Sequence, residues 1–197
     1  MTRGVRDSYG ELLGDGPRLH SDDAAVRPVV IINQAEMTDG EAIGNNTSIL
    51  LEPSGDPMSE HIARLLFAHE FFHLWNGKSF TPSGDHSEWF KEGFSNYYTL
   101  KALHHIGYLT DESYLDLFAN LFYQRYNSDD AVGRLSMTNG ELKHDHWGLI
   151  YSGGLLVAIA QDLQIRAASG NERSLDDLMR FMFNEYGDST YELADIE

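Results

Sequence analysis

"DPMSEHIARLLFAHEFFHLWNG", residues 56–77, is where the chain turns from strand-like to helical patterning. Asp56 is suited to cap a helix and Pro57 to open it, and Gly77 stands just past the expected end. Between them Leu65, Leu66, Phe67, Phe71, Phe72, Leu74 and Trp75 make the second half apolar nearly all round, which predicts a helix buried on most sides. Set into that run are His69, Glu70 and His73. On a helix turning about 100° per residue they project at about 0°, 100° and 40°, the histidines one turn apart. Two imidazoles so spaced can grip one metal ion, with the glutamate beside the ion but not bound to it. Neutral imidazoles hold zinc, and a carboxylate takes the proton of its water. From this composition chance supplies about 0.03 copies of His-Glu-x-x-His, and an unpaired carboxylate in a buried helix is costly. The pattern therefore reads as a metal site.

Working outward, "PVVIINQ" (28–34) predicts a buried strand, "MTDGEAIGNN" (37–46) a turn or loop, and "TSILLEP" (47–53) a second strand ended by proline. Residues 28–56 thus form a small β element, and residues 1–27, polar and glycine-rich, a mobile lead-in. Downstream, "SEWFKEGFSNYYTLKALHHIG" (87–107) reads as a helix closed by Gly107, and 110–127 as one capped by Thr110. Residues 127–148 are polar. The stretch 149–169 is helical beyond its glycines and closed by Gly170, and "SLDDLMRFMFNEYG" (174–187) is a last helix capped by Ser174. Strands first and about five helices after, 57–197 being mainly helical, make one α+β domain over 1–197.

The 31 acidic and 14 basic residues give a net charge of −17, which argues against nucleic acid or an anionic membrane as partner. No cysteine is present, so disulfides, thiolate nucleophiles and cysteine-held zinc are excluded. The N-terminus lacks the apolar core of a signal peptide, and no apolar run approaches the roughly 20 residues of a membrane span. The chain reads as soluble, with no compartment assigned.

A catalytic zinc takes three protein ligands and keeps one position open. A third histidine at short spacing is not offered, that position being Ser79. "WFKEGFSNYY" (89–98) offers Glu92, with Glu88 one turn earlier as its competitor. Glu92 is favoured because Gly93 allows close helix approach and Asn96, one turn on, can accept the outer N–H of a ligand histidine.

The pattern HExxH, eighteen residues, then Glu-Gly resembles the gluzincin metallopeptidases, most nearly the glycyl aminopeptidase family. "HEFFHLWN", "EGFSNYY" and "SLDDLMRFMFNEYG" carry the likeness in order, and it spans about residue 28 to the end. It implies a thermolysin-like zincin catalytic domain, one zinc per chain on His69, His73 and Glu92, Glu70 as catalytic base, and a peptide or protein substrate. "YSGG" (151–154) is similar to that family's Tyr-x-Lys-Gly, whose tyrosine is aimed at the scissile carbonyl; Tyr151 takes that place. A phenol donor beside the zinc would stabilise an oxyanion.

Three departures qualify the likeness. The family's lysine is Gly153 here, so whatever it supports is absent or replaced. "EAIGNNTSIL" (41–50) lacks the glutamate that relatives carry at the matching place in the cleft, which weakens aminopeptidase specificity more than zinc hydrolysis. Gly44, Asn45 and Asn46 are expected to border the cleft, where a peptide would add as a strand near 44–50. Finally, 197 residues leave no room for the relatives' flanking β and peptide-binding domains, and "STYELADIE" (189–197) reads as cut mid-element. The expectation is a fragment whose uncovered surfaces promote self-association.

In "KHDHW" (143–147), His144 and His146 are either metal or substrate groups or solvated loop residues. His104 and His105 suit a helix C-terminus, and His61 and His86 suggest no site. The reading is zinc-dependent peptide hydrolysis, as an aminopeptidase in its narrower form; cobalt or manganese would suit the same ligands. The alternatives are a zinc-bound non-catalytic interaction domain, an inactive isolated fragment, or a zinc hydrolase of another bond. Glu70 favours an enzyme, since a binding module has no use for it.

Overall fold

The helix expected from the opening stretch forms as α2 (Pro57–Phe72) in the structure, a computed structural model that describes residues 1–18, 27–53 and 57–196. Asp56, read as its cap, lies outside the described residues. The α-helix stops at Phe72, short of Gly77, and the chain tightens into a turn in which Trp75 N–H bonds the Phe72 carbonyl. His73 N–H still bonds the His69 carbonyl, so the two histidines keep helical stacking across the end.

Residues 1–27 are not simply a lead-in. Thr2–Leu13 form a helix, α1, whose Val5, Tyr9 and Leu13 recur at helical spacing and are fully buried. The Tyr9 hydroxyl donates to the Ala68 carbonyl (3.0 Å), and its ring meets Phe72 at 4.7 Å. This helix is pinned to the back of α2.

Three strands form one sheet: β1 (Val29–Gln34), β2 (Asp39–Ile43) and β3 (Asn46–Leu51), in the order β1-β3-β2. β1 pairs parallel to β3, and β2 pairs antiparallel to it through the turn at Gly44. Two expectations change here. β2 occupies the segment read as turn or loop, and β1, apolar though it is, lies largely exposed. The centre is β3, which buries Thr47 and Ile49.

After β4 (Phe80–Pro82), α3 (Glu88–His105) runs through the core, burying Phe90, Phe94, Tyr98 and Leu103. Thr110 caps α4 (Asp111–Leu117) in a reciprocal pair with Ser113, as the sequence indicates. A π-helical segment (Phe118–Tyr123) leads to α5 (Gln124–Ser128). A second π segment (Gly148–Ser152) opens α6 (Gly153–Ser169), so this helix begins before its glycines rather than after them. The run Gly148–Ser169 is long and apolar enough for a membrane span by length and composition alone, and half of its apolar window is buried in the protein, as in a core helix. α7 (Leu175–Tyr186), capped by Ser174 with Asp177, precedes β5 (Ser189–Tyr191), which pairs parallel with β4.

Candidate active site

α2, α3, β2 and the segment leading into α6 enclose a cleft of about 680 Å³. From α2 come His69 and Glu70, and from the turn after it His73; all three are buried. Glu92, one turn into α3, is 3% exposed and directs Oε2 to His69 Nε2 (3.1 Å) and His73 Nε2 (3.2 Å). The two imidazole nitrogens are 3.0 Å apart. Glu88 turns away, binding Lys91 (2.7 Å) and Lys143 (2.8 Å). The geometry brings Glu92, not its competitor, to the histidines.

His73 Nδ1 donates to the Asn76 carbonyl (2.9 Å), with Ser95 Oγ at 3.3 Å. A proton on Nδ1 leaves Nε2 as a bare acceptor aimed at His69 and Glu92. Three acceptors converging in a buried space fit a cation, and two imidazoles with one carboxylate are a zinc donor set. Burial opposes charge at this cluster, but the mutual attraction wins: His73 is held above its usual pKa by Glu92, and Glu92 well below its own by His73 and His69.

Asn96 does not take the role read for it. Its amide donates to the Tyr151 carbonyl (3.3 Å), tying α3 to the segment that carries the tyrosine, while Asn76 and Ser95 orient His73. Tyr151 lines the same cleft as Glu70, its ring 6.2 Å from that of His69 and stacked on Trp147 at 4.7 Å. Burial, and then the charge of Glu92, raise the phenol's pKa. Gly44, Asn45 and Asn46 are not among the cleft residues; Thr38 to Ala42 of β2 and its lead-in are. The edge exposed to the cleft is β2, since β3 is covered on both sides. At Gly40 a Cβ would lie 2.8 Å from Glu70 Cγ, so only glycine lets β2 approach the glutamate this closely.

Lys143 is the site residue the sequence reading missed. "KHDHW" was notable for its histidines, yet its lysine reaches the centre, 2.6 Å from Glu92 Oε1 and 5.8 Å from the Tyr151 ring centroid. Burial disfavours its charge, but Glu92, Tyr151 and Glu88 together outweigh burial and raise its pKa. An ammonium therefore stands beside Glu92 and Tyr151 although position 153 is a glycine. His144 lines the cleft. His146 instead binds Asp129 (2.9 Å). With Asp130 these make a second metal-like group, but Asp129 also accepts from Ala131 and Leu149 backbone N–H groups.

Solved structures share this fold. An aminopeptidase N family protein from Idiomarina loihiensis superposes with a TM-score of 0.77 at 20% identity, over 94% of this chain and 36% of that one. Leukotriene A4 hydrolase from Saccharomyces cerevisiae gives 0.67 at 13% identity, over 98% of this chain and 30% of that one. The chain thus spans about a third of the length of the solved proteins it matches. The fold is therefore the zincin-like one that these structures share. Residues 63–155, which hold every candidate metal-site residue named above, match the family model described as M61 glycyl aminopeptidase. No curated protein matches the chain.

Proposed function

We propose that the domain hydrolyses peptide bonds with zinc held by His69, His73 and Glu92. The observation that carries this reading is the convergence of His69 Nε2, His73 Nε2 and Glu92 Oε2 within 3.0–3.2 Å, with Glu70 and Tyr151 in the same cleft. When bound, the ion would polarise the scissile carbonyl and make water acidic enough to be deprotonated near neutral pH. Glu70 takes the proton of the attacking water and passes it to the leaving amine. The Tyr151 hydroxyl donates a hydrogen bond to the carbonyl oxygen as charge develops on it. Lys143 and the Asn76 carbonyl hold Glu92 and His73 in orientation. The peptide adds to the free edge of β2, its backbone paired near Gly40 beside Glu70.

An aminopeptidase would hold a free amino terminus with a carboxylate. Asp39 and Glu41 on β2 line the cleft and supply that chemistry, which supports the narrower reading. Elemental analysis for metal, combined with cleavage of free and N-acetylated peptides with and without a chelator, tests both. One zinc per chain and chelator-sensitive cleavage are expected, faster on the free peptides. Zinc without cleavage would favour a non-catalytic domain.

A further inference from the structure

One wall of the cleft carries a cation that the metal centre does not use. Lys91 and Lys143 are paired with Glu88 and Glu92. Arg125, on α5, lines the same cleft, yet among the described residues no carboxylate lies within ion-pair distance of it. Other arginines also lack an ion pair, but among the described residues Arg125 is the one arginine that lines this cleft. Its neighbour is aromatic: the guanidinium carbon is 5.9 Å from the Trp147 ring centroid.

Trp147 belongs to a ladder. It stacks on Tyr151 with centroids 4.7 Å apart and planes 20° from parallel, and the Tyr151 ring lies 6.2 Å from that of His69. Arg125 is therefore within reach of a few extended residues from the metal ligands, at roughly 3.3 Å per residue. The two outer members are held as a unit, because Gly148 packs directly on α5: a Cβ there would lie 2.3 Å from the Arg125 carbonyl oxygen. Trp147 is 48% exposed, so its surface is open to a ligand. The Arg125 side chain is itself exposed, and packing on one side of it lowers its pKa. A planar guanidinium against an aromatic face is well suited to bidentate carboxylate binding.

We propose that Arg125, seated on Trp147, binds a carboxylate of the peptide substrate, either its C-terminal carboxylate or an Asp or Glu side chain. This deepens the peptidase reading and rests on it for the nature of the substrate.

Calorimetry on the zinc-loaded Glu70→Gln variant tests the subsite without turnover. The probes are trialanine with a free C-terminus, its C-terminal amide, and Ala-Ala-Glu and Ala-Ala-Gln amides. The expected result is at least ten-fold tighter binding of the carboxylate probes than of their neutral counterparts. Adding Arg125→Gln should erase that difference and leave the Kd of the trialanine amide unchanged, while Arg125→Lys keeps part of it. Preference for free acid over amide alone assigns the C-terminus; preference for Glu over Gln alone assigns a side chain. Equal affinities, no binding of the carboxylate probes, or a preference that survives Arg125→Gln would overturn the proposal. Peptide cleavage by the unaltered domain is scored separately, so failure of the peptidase reading is distinguishable from failure of the subsite.

Discussion

Gly93 and Gly154 meet where α3 crosses the start of α6, so closely that a Cβ on Gly93 would lie 2.2 Å from the Gly154 carbonyl carbon. Gly93 follows Glu92 directly, so the crossing fixes the carboxylate's position as well as the packing. The helix that this glycine admits is α6, whose leading π segment carries Tyr151, rather than α2. Gly93→Ala should destabilise the domain by about 1–3 kcal/mol or more through overpacking, and should also weaken metal binding. Thermal unfolding of the metal-free protein and a competition titration with a chromogenic chelator measure the two effects. Unchanged values in both would mean that the crossing tolerates a methyl group.

Glu70 and Tyr151 share the cleft but have different proposed tasks, and two variants separate them. Glu70→Gln should keep zinc and lose at least about 100-fold in kcat, within the range of general-base catalysis. Full activity in this variant would remove the mechanism.

Tyr151→Phe should also keep its metal, and lose about 100-fold or more in kcat with little change in KM, as for removal of an oxyanion donor. Loss of zinc would instead make Tyr151 a structural support of the ligand cluster.

What was legible in the sequence was local. The histidine pair, the caps at Thr110 and Ser174, and the close-packing glycine next to Glu92 each declare themselves within a turn or two. What was not legible depends on distant partners. Gly40 looked like a turn residue, whereas it lies in a strand that must pass Glu70. Lys143 meets Glu92 from 51 residues away, with nothing nearby in sequence to mark it. β1 has the composition of a buried strand, but pairs on one side only and leaves Val29, Ile31 and Ile32 exposed. α1 was hidden differently: Val5, Tyr9 and Leu13 do show helical spacing, but among glycines and charges the overall composition outweighed it.

Lys143 is the shared cation of Glu88 and Glu92, at 2.8 and 2.6 Å. Lys143→Met leaves two shielded carboxylates with less compensation, and should cost the metal-free domain about 1–3 kcal/mol, which Lys143→Arg should largely restore. Unfolding by denaturant, with the midpoint and slope compared across the three proteins, reads this directly. Equal midpoints would show that the contacts contribute nothing to the fold.

Asp129 anchors the segment that presents Trp147 and Tyr151. Its oxygens accept from Ala131 N–H (2.9 Å), Leu149 N–H (3.0 Å) and His146 Nδ1 (2.9 Å). Burial raises its pKa, but the donors outweigh burial, and the carboxyl is held below its ordinary 3.8. A depressed folded-state pKa stabilises the fold above the unfolded value, and that contribution is lost as pH falls through the folded one. Asp129→Asn, which puts an N–H donor where an acceptor is needed, should therefore lower the thermal midpoint at pH 7, with a cost of about 1–3 kcal/mol. The gap from the parent protein should hold down to the ordinary carboxylate pKa and narrow below it, because acid removes from the parent the same charge that the variant lacks. Thermal scans between pH 7 and about pH 2.5 follow that gap. If it stays constant to the acid end, the loss comes from misplaced hydrogen bonds, and the charge of Asp129 contributes nothing.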